Sequence, residues 1–542
     1  MMNQHLIVLL IVVPMLAGIT MLVTHGRRPL QRLLGVGFLA VNVAVALWAT
    51  LTVFDFATGE ASVLVSQMGN WPAPFGISIV VDPLAAVMVL VTAIVCLSVY
   101  LFCIFQLHDD LESGLFHPLY PLQLFGVNWS FNTGDLFNLF VAFEIMLMAS
   151  YAMFVVGTTR EQMRQAYKYV LLNLVASTLF VTCCGLLYGQ LGTLNMADIT
   201  RITVNGDLPD SAIPVIALLL LVFGSKTAIF PLWYWLPDTY HTLPPAIGGL
   251  FAGLLTKVGA YVMIRVFVMM FGGSTAVTDV LTPIILVSAG VTMFLGVLGG
   301  VSMRTGRRIL SIHIISQVGY MILGIGLMTQ LAVAGAIFFI LHNMVVKCCL
   351  FLCAGLMHQH AGSDDLDKIG GLLKRAPWFA TLFLIAALSL AGLPPLSGFF
   401  GKWVLIYEGF NERQYVLVFF AVLTSLFTLL SMLKIWSYGF WSPPAGAHVD
   451  RPQVRPRTVG GLVGVASLVI VALSMGVGAK WWLEISQSAA DVVMTRTAYV
   501  EAVLGPHTFD PGPRLIGATE QPAPGAQLVT VHDAAEPREI LP

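Results

Sequence analysis

The stretch LFNLFVAFEIMLMASYAMFVV, residues 136–156, carries one charge, Glu144, in an otherwise almost wholly apolar run. Its length falls within the roughly 18 to 25 residues that span the hydrocarbon core of a bilayer as a helix. In lipid every backbone polar group must be satisfied within the segment, so a helix is the structure such a run adopts. Runs of this kind recur along the whole 542-residue chain, which is 57% hydrophobic and only 10% charged, with mean hydropathy +0.86. A soluble protein of this length would need far more charge on its surface. A membrane β-barrel would show alternating segments of about ten residues instead. The sequence therefore predicts an all-α polytopic membrane protein.

The apolar runs predict about fourteen transmembrane helices, from residues 5–24 and 33–54 at the start to 415–441 and 459–480 at the end. The first run has no basic residue before it and no small-residue cleavage site after it, so it reads as a retained helix rather than a signal peptide. Basic residues fix an orientation. With the N-terminus outside, the loops after spans 1, 5, 9, 11 and 13 hold fifteen of the 27 Lys and Arg, from Arg27 to Arg457. Asp55, Glu60, Asp198, Asp207, Asp210 and Glu412 collect in the other loops. The positive-inside rule supports that layout. Residues 483–542 read as a polar C-terminal tail with no further span.

Five charges stand deep inside spans: Glu144, Lys226, Lys257, Lys347 and Lys402. A charge at the bilayer centre is costly, at least about 2.5–3.5 kcal/mol on insertion scales, and such residues usually face the bundle interior and mark ion or proton routes. A static ion pair or a snorkelling lysine is the bland alternative for any one of them. Four lysines on separate helices fit that alternative poorly. Lysine also suits proton handling, because a desolvated ammonium gives up its proton near neutral pH while arginine stays charged.

Two of these lysines lie beside predicted helix breaks. In GSKTAIFPLWYWLP (224–237), Pro231 removes a backbone donor and clashes with the carbonyl of Thr227, next to Lys226. In AGLPPLSGFFGKW (391–403), Pro394 and Pro395 with Gly398 and Gly401 do the same before Lys402. Paired interruptions in corresponding places of two halves are the best sequence pointer to a transport site built from inverted repeats. His342 and Lys347 share one span, and His313 lies on the span before it. A neutral imidazole can relay protons near pH 7. The seven cysteines all fall in apolar runs and read as packing residues. His358 and His360, with Asp364, Asp365 and Asp367, read as an ordinary loop, and GGLFAG (248–253) and GVLGG (296–300) as close helix packing.

Taken together, FNLFVAFEIMLMASYAM, SKTAIFPLWYWLPDTYHTLPPA, LLTKVGAYVMIR, RRILSIHIISQVGYM and GLPPLSGFFGKW resemble the antiporter-like subunits shared by respiratory complex I and the Mrp-type multisubunit Na⁺/H⁺ antiporters. The resemblance covers roughly residues 80–440. It implies two inverted five-helix repeats, spans 4–8 and 9–13, each with a broken helix, spans 7 and 12. It also implies a proton path through Glu144, Lys226, Lys257, His342, Lys347 and Lys402. The segment HNMVVKCCLFLCAG (342–355) is similar to the D subunit of the Mrp antiporters. One departure stands out: the family's span-10 histidine appears as Gln317, with His313 one turn earlier.

The resulting expectation is a proton-translocating subunit of a hetero-oligomeric Na⁺/H⁺ antiporter in a prokaryotic plasma membrane, with protons, Na⁺ and the other subunits as partners. It would need no cofactor and be no enzyme in itself. The rivals are a proton-pumping subunit of a respiratory NADH dehydrogenase or membrane-bound hydrogenase, and an inert scaffold subunit. The expected divisions are 1–112 (helices 1–3), 113–272 (first repeat), 273–442 (second repeat), 443–482 (helix 14) and the tail. Asp82, Asp135 and Asp238 are carboxylates near spans and stand as candidates for cation handling, though no Na⁺ site is assigned by the sequence.

Overall fold

A computed structural model describes residues 6–54, 61–106, 115–156, 159–443 and 456–505. Asp55, Glu60, Arg451, Arg455 and residues 506–542 of the expected tail lie outside the described residues. Among the described residues, eleven helices are long and apolar enough to cross a membrane. Where the sequence predicts three further spans, the described residues form shorter helices, Leu9–Val23, Phe116–Asn132 and the pair Pro377–Ala391 and Ser397–Asn411. The structure thus bears out the helical bundle and eleven spans rather than the count of fourteen. Their sequences explain the shortening. Phe116–Asn132 ends in the polar run before Asp135, and the last pair is divided at Pro394–Pro395.

Two helices form the axis of the bundle, Pro245–Met263 with its wider-turned continuation Ile264–Met270, and Gln330–Ala361; their apolar windows are wholly buried. The second helix packs on the first, on helices Gly306–Leu327 and Ser397–Asn411, and on the C-terminal helices Pro456–Val477 and Ala479–Thr495. Small residues permit the central contact. A Cβ on Gly253 would stand 3.0 Å from the Met344 carbonyl oxygen, and one on Gly249 3.3 Å from that of Cys348. The glycines of GVLGG act the same way, with a Cβ on Gly296 falling 2.7 Å from the Ser316 nitrogen.

Helix ends follow local sequence. Gln330–Ala361 starts where the Thr329 hydroxyl accepts from the Ala332 N–H, and stops at Gly362, whose φ of 77° favours glycine. Arg160–Leu191 has the same grammar, with Thr159 at its start and Gly192 at its end.

The fold departs from the sequence expectation in two places. Strands Leu64–Gln67 and Ser78–Val81 form a small antiparallel hairpin, paired from Leu64 with Val81 to Gln67 with Ser78. The stretch read as a tail begins instead with helices Ala479–Thr495 and Thr497–Leu504. Burial of Ala489, Val493, Tyr499 and Val500 on one side accounts for their order, because an amphipathic helix is held by packing rather than by its mean polarity. Gln67 donates to the Val503 carbonyl at 3.3 Å, so hairpin and last helix share one face of the bundle.

Candidate functional site

Each of the two predicted breaks is a short non-helical connection inside the bundle. Helix Ile213–Thr227 stops at Ala228, in the left-handed region at φ 64°, and the chain turns helical again at Trp235–Tyr240. Helix Pro377–Ala391 stops at Gly392, φ 89°, and restarts at Ser397. Breaking a helix orphans carbonyls that must find donors. At the first break the Trp235 indole N–H donates to the Ser225 carbonyl at 3.1 Å. At the second, Lys402 Nζ donates to the carbonyls of Leu390 and Ala391 at 3.0 and 2.9 Å and to Ser425 Oγ at 3.2 Å.

All four deep lysines are buried, with Lys226 the most exposed at 6% and Lys257 and Lys347 at 0%. Among the described residues none has a carboxylate within 4.0 Å. Lys226 Nζ donates to Ser177 Oγ at 3.2 Å and sits 5.1 Å from the centre of the Phe143 ring, beside a small cavity that Tyr169, Asn173 and Trp235 also line. Lys257 Nζ donates to the Ala252 carbonyl at 2.5 Å and to Thr256 Oγ1 at 3.1 Å. Among the described residues Lys347 Nζ has a single weak partner, the Leu310 carbonyl at 3.4 Å. An ammonium carries three donors, so Lys347 is the least satisfied of the four.

Glu144 is half-buried, and its Oε1 is enclosed without a hydrogen-bond partner. It lies one residue along the helix from Phe143, over which Lys226 is placed, but it makes no direct ion pair with that lysine among the described residues. The expected acid–lysine pair is therefore not a direct contact among the described residues.

The second break gathers His342 and Lys402. His342 Nδ1 and Ser397 Oγ are 2.8 Å apart, and Ser397 Oγ is 2.9 Å from Ser389 Oγ, whose neighbour Leu390 accepts from Lys402. His342 Nε2 is buried without a partner. Gly398 makes this approach possible, since a Cβ there would stand 1.9 Å from the Ser389 carbonyl oxygen and 3.1 Å from the imidazole. His313 and Gln317 meet at a common hydroxyl: Ser316 Oγ is 3.3 Å from His313 Nδ1 and accepts from Gln317 Nε2 at 3.1 Å. The histidine one turn early and the glutamine thus share one polar spot.

The secondary carboxylates have other partners. Asp135 caps helix Leu136–Phe154 by accepting from the Asn138 N–H at 2.8 Å. Asp238 pairs with Lys168 at 2.8 Å and is 46% exposed. Asp82 is buried against Arg265, which grips both its oxygens. Arg265 is a buried charge absent from the predicted set. Its signal was available, for Lys257, Tyr261 and Arg265 recur every fourth residue and lie on one helix face. At the opposite end of the bundle, Asp364 pairs with Arg307 and lies 2.5 Å from His358 Nδ1, and Asp367 pairs with Arg304 at 2.9 Å. No cluster of three or more His, Cys, Asp or Glu suited to a metal ion occurs among the described residues.

Broken helices and buried lysines in a polytopic bundle define a class, the membrane subunits of ion-translocating complexes. Residues 133–428 match the membrane family described as NADH:quinone oxidoreductase/Mrp antiporter. The chain belongs to that family. It is 42% identical to the Na(+)/H(+) antiporter D subunit of Alkalihalophilus pseudofirmus over 92% of this chain and 99% of that one. It is 37% identical to the protein of the same name in Bacillus subtilis, over 92% and 99%. Among solved structures it is similar to a chain of the Mrp complex from Dietzia sp. DQ12-45-1b, with TM-score 0.86 and 30% identity over 93% of this chain and 100% of that one. A chain of an archaeal membrane-bound sulfane sulfur reductase gives TM-score 0.83 at 25% identity, over 92% and 100%.

Proposed function

We propose that this chain carries protons as the D subunit of a multisubunit Na⁺/H⁺ antiporter in a prokaryotic plasma membrane, with its N-terminus outside. Residues 113–272 and 273–442 form its two halves, and protons pass along Lys226, Lys257, His342 with Lys347, and Lys402. Glu144 biases the charge on Lys226 and links this unit to a neighbouring subunit.

The observation that carries the proposal is the set of four lysines on four helices, each buried and each without a carboxylate partner among the described residues. A static structural role would pair such charges, because a buried, uncompensated ammonium is strongly unfavourable. Groups that gain and lose a proton in turn have no need of a permanent counter-ion. The His342–Ser397–Ser389 contacts and the Lys402 contacts on Leu390 and Ala391 add short donor–acceptor steps beside the second break.

The test is Na⁺/H⁺ exchange in vesicles carrying the assembled complex with Glu144→Ala or Lys226→Ala. Exchange should fall sharply in both, and full exchange in both would refute the path. The similarity to the sulfane sulfur reductase chain favours one second reading, a proton-pumping subunit within a redox complex. Subunits that co-purify with the native chain separate the two: small antiporter subunits support the first, iron–sulfur subunits the second.

A further inference from the structure

Eight residues beyond Lys257, about 12 Å of helix rise, Arg265 is held on every side. Its terminal nitrogens grip both carboxylate oxygens of Asp82, at the foot of helix Pro83–Gln106, and its Nε donates to the Tyr261 hydroxyl at 2.9 Å. The guanidinium carbon lies 5.1 Å from the centre of the Tyr261 ring and 5.3 Å from that of Tyr499. Tyr261 in turn donates to the Phe131 carbonyl at 2.5 Å. Both charged side chains are buried, at 3% and 0% exposure.

The helices that replace the expected tail hold this arrangement shut. Tyr499 belongs to helix Thr497–Leu504, and Arg496, just before it, donates to the carbonyls of Met269 and Val268 at 2.8 and 2.9 Å. Those carbonyls lie in the wide turns Ile264–Met270, the segment that carries Arg265.

We propose that the Asp82–Arg265 pair is a proton-tight plug. It closes the first half toward the hairpin face, so that a proton at Lys257 moves sideways toward Lys347 and Lys402 and not straight out. The inference rests on the proton path proposed above. The chemistry is that of arginine: it is always protonated, offers donors only and accepts no proton, so a hydrogen-bonded relay stops where it meets one. With both Asp82 oxygens engaged, two rings beside the guanidinium and both charged groups buried, the site leaves little room for a bypassing chain of water.

The experiment measures passive proton entry into proteoliposomes holding the complete complex, with an imposed pH gradient, a trapped pH dye and no Na⁺. Arg265→Gln and Asp82→Asn should each raise the Na⁺-independent proton leak several-fold over the wild type. Adding Lys257→Ala to either should abolish the rise, since the leak would run through Lys257. Assembled single variants as tight as the wild type, or a leak that persists without Lys257, would overturn the plug. Where the single variants fail to assemble, Tyr499→Ala removes one ring and keeps the ion pair. It should leak as well, and a tight Tyr499→Ala complex overturns the proposal. Full exchange in Glu144→Ala and Lys226→Ala would count against the proton path instead, and the leak assay does not depend on exchange.

Discussion

Lys402 Nζ stands 2.9 Å from the carbonyl oxygen of Ala391, so the lysine on one half of a broken helix closes the end of the other half. One side chain thereby has a structural task and, on the proposed path, a transport task. The two can be separated. Lys402→Arg keeps a cationic donor for the carbonyls of Leu390 and Ala391 but cannot release a proton. The variant complex should assemble and melt close to the wild type while Na⁺/H⁺ exchange is lost. Lys402→Met should lose both, with a stability cost of about 1–3 kcal/mol for carbonyls left unsatisfied. Thermal unfolding of the purified complex, read beside exchange in vesicles, checks both outcomes.

Ser397 fixes the imidazole of His342 through its hydroxyl and also touches Ser389. Removing it in Ser397→Ala frees the ring to turn. A hydrogen bond of this kind contributes about 0.5–1.5 kcal/mol, so exchange should slow by roughly two- to tenfold while assembly persists. Ser397→Thr keeps the hydroxyl and should recover part of the rate. An unchanged rate in Ser397→Ala would remove Ser397 from the relay.

Gly259 and Gly398 sit where helices approach the breaks. A Cβ on Gly259 would fall 2.5 Å from Thr227 Oγ1, at the end of the first broken helix. Gly259→Ala and Gly398→Ala should each destabilise the bundle by about 1–3 kcal/mol, the usual effect of overpacking. Gly37 faces open space, and Gly37→Ala is the matched control. Melting temperatures of the three complexes, taken together, test this.

Asp238 and Lys168 form a partly exposed pair. Such pairs contribute at most about 1 kcal/mol. Asp238→Asn should therefore leave both assembly and Na⁺/H⁺ exchange within error of the wild type, and a large loss of exchange would return Asp238 to the functional set.

Asp364 lies outside the membrane spans. Burial alone would raise its carboxyl, but His358 and Arg307 beside it outweigh that and hold it below the usual carboxylate range. A carboxyl whose folded value is depressed stabilises the fold above its ordinary value, near pH 4, and that contribution is lost as pH falls through the folded value. The wild type should thus be more stable than Asp364→Asn at neutral pH, with the difference shrinking as the medium is acidified below about pH 4. Chemical unfolding at several pH values measures it.

Much of this molecule was legible in its sequence. Apolar length gave the helical bundle, and proline chemistry located both breaks, at Ala228 and at Gly392, to within a few residues. What the sequence could not supply were partners set by tertiary contact. Helix Ala479–Thr495 looks polar in sequence because Lys480, Glu484 and Asp491 mark its outer side, and its buried stripe of small residues is visible only against the helices it packs on. Arg265 is a related case: its spacing from Lys257 and Tyr261 places it on their helix face, but its partner Asp82 is 183 positions away in sequence and no spacing rule supplies that contact. Glu144 shows the converse. Its place within an apolar helix was legible, whereas the ring of Phe143 near Lys226 depends on rotamers that no spacing rule encodes.

Helix Gln330–Ala361 runs unbroken for 32 residues. At 1.5 Å per residue that is about 48 Å, well beyond a hydrocarbon core of about 30 Å. It must lean, protrude, or thicken the lipid around it. Because His342 and Lys347 ride on this one rod, a change of lean moves both relative to Ser397 and Leu310, their partners on neighbouring helices. On the proposed proton path, bilayer thickness, set by acyl-chain length and sterol-like lipids, thus becomes a control on turnover, and a complex moved between short-chain and long-chain lipids should run at different speeds without a single residue altered.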